Sequence, residues 1–448
     1  MSNSLSKEKA KSKIDKYAAD ILRPMQSHGG LELWVLLLAL GFVMYVFAYF
    51  IQLRDGLGVT AMRDYVSWGV YISNFVFFVA VSLVGMLISA VLGLLKQNWI
   101  KPLTRVAEII ALGFVMVAGL VIVNDMGRPD RLLNVFIHGR IQSPIVWDIT
   151  VITTYVTISL LLFYLPLIPD LAFAKKRLKN LPKWQYMLFN ILSLGWIGTP
   201  EQYKILHKGI RLLAILIIPV ALAIHTVTSW LFAATLRPGW DTTIFGPYFV
   251  AGAFVAGAAA VVILMYILRV NYKLKDYFTD FHFNKMGQLL VLVSLVYLYF
   301  NLNEFLVPAY KMKGADAVHL HTLFSGKYAV LFWGVQIFGM LIPIILMLFK
   351  KFRSPGWLAF ISVFVLIGAW LKRIIIVVPT LMHPHLPIQN VPEAFHKYFP
   401  TWIEVFVTLG SFVMALGIIT ALLKIFPVIP IWELAEEEGL TEEFESYD

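Results

Sequence analysis

Asp125, Asp148, His225 and Glu304 lie within, or at the rims of, long apolar runs, as does the adjacent pair Lys372-Arg373. A charge in hydrocarbon is costly, so such residues are paired, face a cavity, or mark a path for protons or substrate. Carboxylates and an imidazole can take up and release protons near neutral pH. Arginines placed beside carboxylates, here Arg128, Arg131 and Arg373, would hold them ionised and shape the mouth of a site. Asn74, Trp147 and Trp230 add the amide and aromatic surface that lines a pocket for a ring-shaped ligand.

Elimination narrows the chemistry. The chain has no cysteine, which removes disulfides, thiolate metal sites and iron–sulfur clusters of the usual kind. A di-haem cytochrome needs facing histidines at membrane depth. Of the 10 histidines only His225 falls mid-run. His383-Pro384-His385 has no carboxylate near it in sequence, so a metal is not expected; His383 is kept as a residue of the site's mouth. A proton-coupled site fits the residues better than either: carboxylates and an imidazole can accept protons as a quinol is oxidised, or deliver them as a quinone is reduced. The plainer reading of Asp125, Arg128, Asp130 and Arg131 is that they pair with one another and pin a turn.

These residues need elements to hold them. Hydrophobic residues make up 59% of the 448, and only 14% are charged, well below the charge content of a soluble domain. Runs such as Leu33–Phe50 are continuously apolar rather than alternating, so the spans are helices and not barrel strands. Ten spans are predicted, near 32–53, 66–95, 103–124, 143–166, 208–235, 244–270, 286–309, 326–349, 356–379 and 401–426. The expected fold is all-α, a polytopic membrane protein.

An even number of spans puts both tails on one side. Lys and Arg are concentrated in the N-terminal tail and the even-numbered loops, with Lys175, Lys176, Arg177, Lys179 and Lys183 in the longest, so both termini are expected in the cytoplasm. The net charge of +10 is read the same way, and nucleic-acid binding is not expected. The charged N-terminus has no apolar core before about residue 31, so no cleavable leader is expected. The division is a tail at 1–31, a transmembrane domain at 32–426 and an acidic cytoplasmic tail at 427–448, read as solvated. With this orientation the polar groups fall in the outer half. The inner half is expected to be mostly apolar, with Glu108 near its end and within reach of Arg105.

The motifs resemble a known family. Trp68-Gly69 with Asn74-Phe75 is similar to the second helix of the NrfD/PsrC (polysulfide reductase) family of quinone-reactive membrane subunits. Gly127-Arg128-Pro129-Asp130-Arg131 followed by Ser143-Pro144-Ile145-Val146-Trp147-Asp148 resembles its signature. So do His225-Thr226-Val227-Thr228-Ser229-Trp230, Pro238-Gly239-Trp240 and Pro247-Tyr248-Phe249, in that order. Pro379–Pro384 and Pro400–Glu404 resemble the C-terminal region of the long, ten-span members, as in alternative complex III, HybB-like hydrogenases and Dsr/Qrc/Hmc-type complexes. One departure is the end of the second helix, where Val81–Gly85 carries a single glycine. The resemblance spans roughly 30–430.

It implies two four-helix bundles with peripheral helices, in a cell inner (cytoplasmic) membrane. It implies menaquinone or ubiquinone as the only cofactor, with no haem or iron–sulfur cluster in this chain. It also implies a periplasmic-side, ferredoxin-like iron–sulfur partner subunit, docked near 125–142 and 380–400. Asp125, Asp148 and Glu304 would then carry protons, and His225 would bond a quinone oxygen or relay a proton. The competing class is an ion-translocating transporter or pump-type subunit, which needs polar groups through the inner half. A purely structural anchor would have no buried carboxylates.

Overall fold

The computed structural model describes residues 2–27, 30–95, 97–178, 181–386 and 388–445. Lys179, noted above, lies outside the described residues. Helix α1 (Ser2–Ile21) is followed by α2 (Leu31–Asp55), α3 (Val70–Leu94), α4 (Lys101–Asp125), α5 (Pro144–Tyr164), α6 (Leu167–Arg177), α7 (Lys183–Leu192) and α8 (Pro200–Ala233). Then come α9 (Phe245–Asn271), α10 (Asp280–Lys311), α11 (Gly314–Phe324), α12 (Ala329–Leu348), α13 (Pro355–Leu381), α14 (Trp402–Ile425), α15 (Ile431–Glu437) and α16 (Thr441–Glu445). Ten of these are long and apolar enough to cross a bilayer among the described residues: α2, α3, α4, α5, α8, α9, α10, α12, α13 and α14. This is an all-α polytopic membrane protein. Because ten spans alternate in direction, both termini lie at one end, called here the termini end.

The packing gives the expected two bundles. Helices α3, α4, α5 and α8 pack around one axis, and α9, α10, α12 and α13 around a second. α3 packs on α9 and α13, which joins the bundles, and α2 and α14 pair outside, with α14 against α4. The single glycine at the end of α3 suffices for close approach: Gly85 lies on the Ala107 carbonyl of α4, and Gly257 of α9 lies against Val84. In the second bundle Gly339, inside a π-helical stretch of α12 at Val335–Leu341, meets Gly368 of α13 backbone to backbone.

Helix starts follow local chemistry. Thr199 caps α8 by accepting from the Gln202 amide (3.2 Å), with Pro200 at the first helical position, where its missing N–H is not needed. Thr401 and Glu404 form a capping box at α14. α8 begins eight residues before the predicted span, because capping signals lie outside the apolar run that marks the span.

Two expectations are corrected. The acidic C-terminal segment is not a solvated tail: α15 and α16 dock across the termini end. Asp170 accepts the Ile431 and Trp432 amides (3.0 and 3.1 Å), Trp432 donates to the Pro166 carbonyl (2.8 Å), and Phe444 stacks on Phe173. Glu436 pairs with His207, Glu437 with Lys101, and Glu438 with Lys13 and the Tyr17 hydroxyl of α1. A run of glutamates reads as solvated in sequence because its counter-charges are scattered over other helices. Nor is the termini end of the first bundle apolar. Arg105 is buried there between Asp170 (3.3 Å) and Glu108 (3.6 Å). A cavity of about 650 Å³ opens beside them, lined by Thr104, Glu108, Leu162, Trp432 and Glu433. Burial pushes the Glu433 carboxyl up to about 7.

Candidate functional site

The polar residues read from sequence fall into three groups, all towards the end opposite the termini. The first lies on the seam between α5 and α8. Asp148, one turn into α5 and 3% exposed, accepts a 2.5 Å hydrogen bond from the Thr228 hydroxyl of α8. Pro144 starts α5 and Thr228 lies one turn beyond His225 on the same helix, so the two helices fix Asp148 and His225 at neighbouring levels. His225 is fully buried, with the Val79 carbonyl of α3 beside it, and neither ring nitrogen makes a hydrogen bond of ordinary geometry. The Arg373 guanidinium of α13 lies within electrostatic range of His225. Arg373 is 2% exposed, stacks over Phe249 at 4.9 Å and rests against Gly252, where a side chain would collide with it. Its Nε and Nη1 are buried without a hydrogen-bond partner. Trp147 and Trp230 meet edge to face at 6.4 Å on the outer surface of the same seam, 37% and 46% exposed.

The second group is inside the second bundle. Glu304 of α10 accepts from Lys372 of α13 at 2.9 Å, and Lys372 also lies 4.5 Å from the Phe305 ring centroid. Tyr248 stacks on Tyr297 and donates to Asn301, which is held amide to amide by Gln336 of the π-helical stretch (2.8 Å). Glu304, Asp316 and His319 line one cleft. Burial pushes the His319 imidazole down to about 4, and its Nδ1 has no partner. His383 bonds the Thr322 hydroxyl (2.9 Å), and its ring lies 6.5 Å from that of His319.

The third group joins α2, α3, α4 and α14. Tyr45 donates to Asn124 Oδ1 (2.8 Å), Gln52 to the Asn124 carbonyl (2.6 Å) and Tyr71 to Gln52 (2.7 Å). Glu404, fully buried, accepts from the Tyr398 hydroxyl (2.6 Å) and the amides of Ala61 and Thr401. Asp125 lies within electrostatic range of Glu404, and its Oδ1 is buried without a partner. Asn74 bridges helices, donating to Thr408 (2.9 Å) and accepting from Trp370 (2.7 Å).

The structure thus brings Asp148, His225 and Arg373 to one region, with Lys372-Glu304 continuing from Arg373. It does not place Arg373 at a mouth. Arg128 and Arg131 are exposed, and Arg128 pairs with Asp130 at 2.9 Å, the turn-pinning arrangement read as the plainer possibility, though without Asp125. Sequence reasoning misses Glu404, Tyr71, Gln52 and Tyr398. The capping pattern Thr401-x-x-Glu404 is the available signal, but it speaks of a helix start and not of a buried hub. Among the described residues no three His, Asp or Glu side chains converge as a metal site.

Two bundles of antiparallel spans, with buried ionisable groups packed between their helices, define an integral membrane protein. The family described as Polysulphide reductase, NrfD matches residues 58–385, and the chain belongs to it. It is similar to a putative membrane subunit of dimethyl sulfoxide reductase from Halobacterium salinarum, 28% identical over 88% of this chain and 91% of that protein. It is similar also to a selenate reductase subunit of Mesobacillus selenatarsenatis (25%, 88% and 93%). The integral membrane subunit of menaquinone reductase from Nitratidesulfovibrio vulgaris is 23% identical, over 83% and 85% of the two chains.

Proposed function

We propose that this chain is a quinone/quinol-binding subunit of a respiratory oxidoreductase complex, exchanging electrons between the membrane quinone pool and a partner iron–sulfur subunit. It sits in the cytoplasmic membrane with both termini in the cytoplasm, so the partner docks at the opposite end, over 125–142 and 380–400. Residues 1–31 and 427–448 flank a transmembrane domain at 32–426.

The carrying observation is the α5–α8 seam. Asp148 lies just beneath the exposed Trp147–Trp230 pair, and His225 is one turn deeper, beside the Val79 carbonyl and with neither nitrogen in a hydrogen bond of ordinary geometry. Buried polar atoms without partners are rare in proteins. His225 and Arg373 supply four of them, and a carbonyl or hydroxyl of a bound ring would satisfy some. A quinone, when bound, supplies two-electron, two-proton redox chemistry. Asp148 accepts or returns the proton at its carboxylate, Thr228 orients that carboxylate, and the two tryptophans exclude water from the seam. Relatives named for menaquinone or menaquinol chemistry support the same reading. The test is Asp148→Asn with His225→Ala in the assembled complex. Loss of both bound quinone and quinol-linked electron transfer, with the fold retained, is expected. Full activity removes the seam from the mechanism.

One observation favours a second reading, a proton-translocating role. Tyr155 donates to the Ser82 carbonyl (2.8 Å), Ser82 donates to the Val79 carbonyl beside His225 (2.8 Å), and Ser159 is fully buried one turn below Tyr155. This polar line in the first bundle points from His225 towards the cavity at Glu108. Tyr155→Phe, compared with wild type for proton release on each side of oriented vesicles, separates the readings: an unchanged proton balance leaves the quinone site without a through-route.

A further inference from the structure

The segment joining α5 to α8 lies where the bilayer ends. Tyr164, the last residue of α5, donates to the Leu192 carbonyl at the end of α7 (2.8 Å). Gln185, near the start of α7, donates to the Ile425 carbonyl at the end of α14 (3.2 Å). α7 is therefore tied at both ends to the termini-side ends of two spans. Its 10 residues make a helix of about 15 Å, which lies across the bundle end rather than along a span. Phe189 and Gln185 face inward. Trp184, Tyr186, Met187 and Ile191 face outward, 50–63% exposed. A short helix with tryptophan and tyrosine on an exposed apolar face, lying at a span boundary, belongs in the headgroup layer with that face towards the acyl chains.

The neighbouring helix supplies the charge. Gly209 of α8 packs beside Leu165, the residue that follows α5, so the same boundary crosses α8 near position 209. Lys204, Lys208 and Arg211 are spaced by four and three, which sets them on one helix face, and all three are at least partly exposed. Lys183 opens α7 at the same end. None of the four is paired with a carboxylate among the described residues. The first three turns of α8 hold a single acid of their own, Glu201; of the docked C-terminal acids, Glu436 is taken up by His207 and Glu445 by the Tyr203 hydroxyl, and Arg211 shares a cavity wall with Glu433 and Glu436. Lys175, by contrast, is engaged with Asn190, and Arg177 with Asp15.

We propose that α7 and the first three turns of α8 form a binding surface for anionic phospholipids. The lipid phosphates sit on Lys183, Lys204, Lys208 and Arg211, and the acyl chains cover Trp184, Met187 and Ile191. Charge complementarity selects the occupant: a zwitterionic headgroup offers no net charge to four unpaired cations, and a soluble anion offers nothing to the apolar face. Each cation held near an anionic surface changes affinity roughly fivefold, so removing three lowers it about a hundredfold.

The test uses the whole complex in nanodiscs of phosphatidylcholine with or without phosphatidylglycerol. Phosphatidylglycerol retained after detergent extraction is counted by native mass spectrometry, for wild type and for Lys204→Gln/Lys208→Gln/Arg211→Gln. Preferential retention by wild type, lost in the triple variant and unaffected by added glycerol phosphate, is the expected result. Equal retention in the variant, equal retention of the two lipids, or full displacement by glycerol phosphate overturns the proposal. If the variant does not assemble, a photoreactive phosphatidylglycerol on wild type decides. Cross-links on 183–211 support the surface, and cross-links only elsewhere, or a partner protein lying over these residues, overturn it.

Discussion

Removing one member of the Glu304–Lys372 pair leaves a charge with nowhere to go. Both side chains are under 10% exposed, and Lys372 Nζ lies 2.9 Å from Glu304 Oε2. Lys372→Met keeps the stem that covers Phe305 but strands the carboxylate. Breaking a buried pair from one side costs about 3–5 kcal/mol, because the remaining charge is desolvated without compensation. Adding Glu304→Gln removes that charge and recovers most of the loss. The interaction energy of the double-mutant cycle is therefore expected to be about 2 kcal/mol or more. The assay is reversible unfolding of the purified protein in mixed micelles, with quinol turnover measured on the same preparations. Single variants within about 1 kcal/mol of wild type, with additive effects, would refute the reasoning. They would mean that water or another partner already compensates the pair. Turnover divides the roles further. A double variant that folds and turns over makes Glu304 a structural counter-ion to Lys372, and one that folds without turnover keeps it as a proton carrier.

Thr228→Val removes the hydroxyl that holds Asp148 and is expected to slow quinol turnover about tenfold or more, as loss of a hydrogen bond to a charged group costs about 1.5–3 kcal/mol; unchanged turnover would show that Asp148 is oriented otherwise. The C-terminal clasp should be pH-dependent through Glu433, whose carboxyl is raised from 4.5 to about 7 in the docked state. A carboxyl raised on docking stabilises the docked form fully below about pH 4.5, and that contribution is lost as pH rises to about 7, so limited proteolysis of 427–445 should be faster at about pH 7.5 than at about pH 5.5. Equal rates would count against a protonated Glu433. Gly368→Val places a side chain where the Gly339 backbone lies, with Cβ 2.5 Å from the Gly339 Cα. It is expected to destabilise the second bundle by about 1–3 kcal/mol, read as a lower unfolding midpoint, and an unchanged midpoint would show that α12 and α13 can part freely.

The spans are legible because hydrocarbon imposes a length and a composition on any helix that crosses it. The depth of Asp148, His225, Glu304 and Arg373 follows from the spans alone. Their partners do not. Thr228 meets Asp148 across 80 residues of sequence and Lys372 meets Glu304 across 68, pairings set by which helix faces which. Arg373 reads as a mouth residue because position along a span gives depth but not direction, and its direction is inward, onto Phe249 and Gly252. Trp147 and Trp230 carry the converse lesson: they lie at the right level but face out. The clasp is hidden for a different reason. Its glutamates find Lys13, Lys101 and His207, cations that charge counting assigns to bulk loops.

The docked pair α15 and α16 also ties distant parts of the chain, α1 and α6, together. Asp170 waits for the amides of Ile431 and Trp432, more than 260 positions downstream. The first bundle can insert early in synthesis, but its termini end stays open until the segment around 431–445 has been made. A chain interrupted anywhere before residue 431 would leave the Arg105–Asp170 pair without its cover and the cavity at Glu108 unroofed. Closure of this end of the bundle therefore rests on a contact of very long sequence separation, made only once the segment around 431–445 is present.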